Sequence, residues 1–143
     1  MYPEEYAYVL LSMTVSGEAG REEAYWDLLV RVLQEKDIVQ VMAHPEVEAR
    51  CRNVVRQNTE YGDWLRKFTR IEGGVAITDF RSLAQPPSGN RFLSYSLFPE
   101  AFVSIRIRYE DPGKQTVVIN IGHSIFNPRC NVHVGRLLAG FGG

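Results

Sequence analysis

The chain has 143 residues, of which 45% are hydrophobic and 23% charged, and its formal net charge is −1. That length and composition suit one globular domain, or one and a fraction, with a core that needs neither disulfide nor metal. The near-neutral balance excludes a general affinity for polyanions, so binding to nucleic acid or polyphosphate would require a local basic patch. Cys51 and Cys130 form no C-x-x-C and no metal spacing, and they read as free thiols in a reducing compartment. The apolar run 8–15 has no basic stretch before it, so neither a signal peptide nor a membrane span is expected, and a cytoplasmic location is.

Helical patterns fill the first half. Residues 3–16 carry Pro3 in the first turn, acids behind it, and Tyr6, Val9, Leu10 and Met13 at helical spacing. Gly17 and Gly20 bracket a loop. Residues 21–34 form a second helix with the apolar stripe Ala24, Tyr25, Leu28, Leu29, Val32 and Leu33. Asp37 is placed to cap a short helix ending at Met42. His44-Pro45-Glu46 starts a longer one, running to Phe68, with Val47, Cys51, Val54, Val55, Tyr61, Leu65 and Phe68 on its buried side. Its arginines and lysine read either as a solvated face or as a field that steers an anion.

The period changes at Glu72-Gly73-Gly74. Residues 75–80 are strand-like, and 85–89, with Pro86-Pro87-Ser88-Gly89, form a loop. Asn90 is expected to cap a helix over 91–97 whose apolar members are Phe92, Leu93, Tyr95 and Leu97. Residues 101–109 alternate, with Val103, Ile105 and Ile107 on one face and Ser104, Arg106 and Arg108 on the other. Asp111-Pro112-Gly113-Lys114 signals a turn, and 115–121 alternate again, which predicts an antiparallel hairpin. Gly122 then allows the backbone to turn or to approach another group. A short return strand around His133, a helix and the pair Gly142-Gly143 complete the pattern. The predicted class is α+β, with a helical connector over 1–70 and a small mixed-sheet domain over 71–143.

No P-loop, G-x-G-x-x-G, H-E-x-x-H or G-x-S-x-G occurs, and none of the three histidines stands at a recognisable metal spacing. The chemistry-bearing residues that remain make a composite anion site. Arg91 opens a helix, Arg106 and Arg108 lie on a polar strand face, and His123, Ser124 and Asn127 supply donors at the end of the neighbouring strand. Gly142 and Gly143 offer bare backbone N–H groups. The alternative is an ordinary strand, turn and helix.

The order Gly89-Asn90-Arg91-Phe92, Leu97-Phe98-Pro99-Glu100, Val103-Ser104-Ile105-Arg106, Gly122-His123-Ser124-Ile125-Phe126-Asn127, Asn131-Val132-His133-Val134-Gly135 and Phe141-Gly142-Gly143 resembles the C-terminal part of DHH-family phosphoesterases. Within that family it is most similar to the exopolyphosphatase-related, oligoribonuclease-like branch. The resemblance implies a helical connector followed by a DHHA1-type substrate-binding domain that stops at the start of its glycine-rich loop. It implies phosphate or nucleotide contacts for Asn90, Arg91, His123, Ser124, Gly142 and Gly143, which join Arg106, Gly122 and Asn127 from the residue reading as the expected site. It also implies a separate DHH domain holding manganese or a similar divalent metal. This chain has no Asp-His-His, so no catalytic or metal-binding residue is assigned to it and no cofactor of its own is expected. The implied partners are a phosphate-bearing substrate (short oligonucleotide, nucleotide phosphate or polyphosphate), the DHH domain and a possible second copy, but no membrane. The competing expectation is a stand-alone, non-catalytic module that binds phosphate or nucleic-acid ends or docks a partner.

Overall fold

A computed structural model describes residues 5–15, 22–124 and 126–142. The predicted Pro3 helix start, the Gly17–Gly20 loop and Gly143 fall outside those residues. The fold is α+β, in the order α1 (Ala7–Met13), α2 (Glu23–Glu35), α3 (Ile38–Met42), α4 (Pro45–Phe68), β1 (Thr69–Glu72), β2 (Val75–Asp79), α5 (Leu93–Leu97), β3 (Val103–Tyr109), β4 (Val117–His123) and α6 (Val134–Ala139). Contacts divide the chain into two units between Thr59 and Glu60, within α4. None of the helices described is long and apolar enough to cross a membrane.

The first unit is helical. Asp37 and Gln40 form a reciprocal capping box that starts α3, which satisfies backbone donors a five-residue helix would otherwise leave open. Leu10, Leu11, Tyr25, Leu29, Val32, Val41, Val47 and Cys51 make one core cluster. Tyr25 is only 2% exposed, and its hydroxyl is 2.6 Å from the Thr14 hydroxyl. The Arg50 guanidinium lies over the Tyr25 ring at 3.8 Å and pairs with Glu22 at 2.9 Å and Glu46 at 3.4 Å.

The second unit is a four-stranded mixed sheet in the order β1-β2-β3-β4, with β2 and β3 parallel and the other pairs antiparallel. Strand β1 is absent from the sequence reading, because four residues directly after a helix carry too little alternation to register. The turn Gly73-Gly74 fixes it. Both glycines have positive φ (55° and 79°), as a two-residue hairpin turn requires, and a Cβ on Gly74 would lie 2.2 Å from the Phe102 ring.

Two further differences concern the loops. Helix α5 begins at Leu93 instead of Arg91, because the Asn90 side chain accepts from Phe92 N–H in a tight turn that delays the helix. The return strand expected around His133 does not form. His133 Nδ1 accepts from Arg136 N–H and caps α6 instead.

Register sorts the sheet into two faces. Ala76, Thr78, Ser104, Arg106, Asn120 and Gly122 share one; Val75, Ile77, Ile105, Ile107, Ile119 and Ile121 share the other. Tyr61, Leu65, Phe80 and Leu93 form a second core cluster, with Phe80 fully buried and its ring 6.5 Å from Tyr61 and 5.8 Å from Phe68. Burying side chains of this size contributes on the order of 1.5–3 kcal/mol each.

Candidate functional site

A cavity of about 390 Å3 opens in the second unit, lined by Arg91, Tyr95, Ser104, Arg106, Asn120, Gly122 and His123 among others. The hairpin β3–β4 builds its floor, because strict alternation brings Ser104 opposite Gly122 and Arg106 opposite Asn120. Tyr61 and Leu65 come from the last turns of α4, and Arg91, Phe92 and Tyr95 from the segment that opens α5.

Arg106 is the central cation. Its Nη1 donates to the Tyr61 hydroxyl at 3.2 Å, and its Nη2 reaches Asn120 Oδ1 at 3.5 Å, the limit of a hydrogen bond. Its Nε is buried without an acceptor. Tyr61, by accepting from Arg106, keeps its own proton free to donate. The ring is 3% exposed and is braced by the Gly89 backbone, where an added Cβ would sit 2.3 Å from it. Arg91 lies over the Phe92 ring at 4.7 Å. Among the described residues neither Arg91 nor Arg106 has a carboxylate partner, and no acid lines the cavity. Tyr95 is 6% exposed; burial pushes its phenol above the usual value, and nearby Arg91 pulls the other way.

Four of the nine residues expected at the site line this cavity: Arg91, Arg106, Gly122 and His123. Gly122 does not turn the chain. It is a regular ladder residue of β4, and the close approach is that of the Tyr95 hydroxyl, 2.8 Å from where its Cβ would be. His123 ends the strand opposite Val103 and is exposed at the cavity's edge. The other residues have structural partners or lie elsewhere. Asn90 holds the Phe92 N–H. Ser124 is 7% exposed and accepts from the N–H groups of Phe126 and Asn127, so it shapes the loop and does not pair with His123 in the cavity. Asn127 Nδ2 donates to Pro99 O at 3.3 Å. Gly142, with φ 80°, is not among the lining residues, and Gly143 is outside those described. Arg108 donates to Tyr109 O and does not line the cavity.

Sequence reasoning placed Tyr61 and Tyr95 in apolar stripes and missed their hydroxyls. The available signal was chemical: a tyrosine at a core position has a polar tip that needs a partner or an opening.

No family model matches the chain, and no curated protein matches it. Among solved structures it is similar to a pGpG-specific phosphodiesterase, PggH from Vibrio cholerae, with a TM-score of 0.87 and 20% sequence identity over 100% of this chain and 52% of that one. The likeness is one of fold, and the chain spans about half the length of that enzyme.

Proposed function

We propose that this chain is the substrate-binding portion of a metal-dependent phosphoesterase of the DHH family, in its exopolyphosphatase-related, oligoribonuclease-like branch, acting on short oligonucleotides, nucleotide phosphates or polyphosphate. The observation that carries this is the cavity with Arg91 and Arg106 in its lining and no carboxylate beside them. Guanidinium forks suit phosphate oxygens, and an anion would replace the marginal contact of Arg106 to Asn120 with charge-assisted hydrogen bonds. The fold shared with a phosphodiesterase supports the same reading.

In the intact enzyme, a pair of divalent ions such as manganese would activate the attacking water. Among the described residues no group of three or more His, Cys, Asp or Glu is placed to hold an ion. The role proposed for this chain is to bind and orient. Arg106, fixed by Tyr61, receives the phosphate, and Arg91 closes the field from the rim.

Calorimetric titration of the 143-residue chain with pGpG tests this. Saturable binding is expected, weakened about ten- to a hundredfold in Arg106→Gln, the range for a hydrogen bond to a charged group. Binding that ignores the substitution, or its absence in the unmodified chain, overturns the reading. The chain alone is expected not to hydrolyse pGpG with manganese; if it does, its assignment as the binding portion is wrong.

A further inference from the structure

We propose that the Tyr95 hydroxyl is the group in this cavity that recognises the nucleoside part of the ligand, and that Gly122 is the position that leaves it room. The inference rests on the phosphate-ester reading above and adds a specificity residue to it.

Tyr95 is 94% buried by residue, since only 6% of it is exposed, yet its hydroxyl has no hydrogen-bond partner among the described residues. Among the described residues the sealed polar atoms without partners are His44 Nδ1, Asn58 Nδ2 and Arg106 Nε. The Tyr95 hydroxyl is not one of them, and Tyr95 lines the cavity, so its polar tip opens there. A tyrosine this deeply packed normally pairs its hydroxyl inside the protein. Here the pairing is left to whatever enters.

The place of that hydroxyl is fixed by the sheet. A Cβ at Gly122 would lie 2.8 Å from Tyr95 Oη, and no other atom outside the neighbouring residues comes within 4 Å. The hydroxyl therefore stands over the Ser104–Gly122 pair. The Arg106–Asn120 pair is the next one on the same face, two residues along the strand, or about 7 Å away. The cavity thus has two stations, one cationic at Arg106 and one neutral at Tyr95.

The two stations suit different chemistry. Phosphate oxygens only accept, and they are served by the guanidinium. A phenol both donates and accepts, which matches the hydroxyls and base edges of a nucleoside. Burial keeps the phenol protonated beside Arg91, so it remains a donor at neutral pH. A bare phosphate chain would engage the first station and gain little from the second.

The test is a double-mutant cycle read by calorimetry with two probes, pGpG and inorganic tripolyphosphate. Tyr95→Phe is expected to weaken pGpG about three- to tenfold, the worth of one neutral hydrogen bond, and to move tripolyphosphate less than about twofold. Gly122→Ala forces the hydroxyl aside and is expected to produce a similar selective loss. In the Tyr95→Phe background, where the obstructing oxygen is gone, Gly122→Ala should add nothing. Equal losses for both probes, no loss for pGpG, or additive effects of the two substitutions would overturn the inference. If the unmodified chain binds neither probe, the phosphate reading fails and takes this one with it. If it binds both, loses both in Arg106→Gln and is indifferent to Tyr95→Phe, only the specificity role fails.

Discussion

Each unit of this protein holds a buried tyrosine against an arginine, and the two pairs are finished differently. In the helical unit Tyr25 has Thr14 on its hydroxyl, and Arg50 has Glu22 and Glu46 on its guanidinium, so the polar circuit closes. In the sheet unit Tyr61 accepts from Arg106, but no carboxylate follows and one edge of the guanidinium has no acceptor. Closed circuits hold a fold together; a half-buried guanidinium whose Nε is sealed without an acceptor costs stability, and such an incomplete group suits a site where a ligand completes it.

The sharpest way to break this contrast is to neutralise both arginines. Arg50→Met is expected to lower stability by about 1–3 kcal/mol in urea unfolding, because it removes the ion pair to Glu22, which is 15% exposed, and a cation–π contact. Arg106→Met should leave the unfolding midpoint unchanged or raise it, since the charge it removes is uncompensated. A large loss in Arg106→Met would mean that its role is structural and the comparison is false.

The tyrosines sharpen the same point on a smaller scale. Thr14→Val leaves the Tyr25 hydroxyl buried without its partner and should cost about 1–2 kcal/mol. Tyr95→Phe removes a hydroxyl that has no protein partner among the described residues and should cost nothing measurable in thermal unfolding.

Two smaller effects probe the frame around the cavity. Lys114 is the one non-glycine residue described with positive φ, at 57°, and Lys114→Gly should gain about 0.5–1 kcal/mol in chemical denaturation. Asp79 is held below the usual carboxylate range, first by its hydrogen bond with Arg81. Its contribution is complete above the carboxylate's unfolded value and fades as pH falls through the lower folded one. Asp79→Asn should therefore cost a few tenths of a kcal/mol at pH 7, because Arg81 is 46% exposed, and the difference from the unmodified chain should vanish in acid.

Much of this architecture was legible in the sequence. The α2 stripe, the Asp37 cap, the Pro45 start of α4 and the β3–β4 hairpin all follow from local period and turn chemistry, which act over a few residues. Strand β1 was not legible, because its pairing depends on a turn whose second glycine is required by Phe102, 28 residues later. The site divided along the same line. Arg91 and Arg106, which line the candidate cavity, are legible because charge on a strand face or helix start is visible locally. The loop partners of Ser124 and Asn127, two backbone N–H groups and Pro99 O, appear only once the chain is folded and are not legible in the sequence. Tyr61 and Tyr95 were read as core because period reports where a side chain goes and not what its tip meets.

The turn after β3 carries a consequence for evolution and engineering. Asp111 pins it with backbone hydrogen bonds from Gln115 and Thr116, and Glu110 N–H closes it on Thr116 O. Those bonds set the phase of β4 against β3. Inserting a single residue there would, on re-pairing, exchange the two faces of β4, carrying Asn120 and Gly122 to the isoleucine side and an isoleucine onto the face that Arg106 shares. Both stations would be lost through a change about 10 Å or more along the strand from Arg106 that touches no ligand. Loop-length variation, which surface turns ordinarily absorb, would here act as an on–off control of recognition.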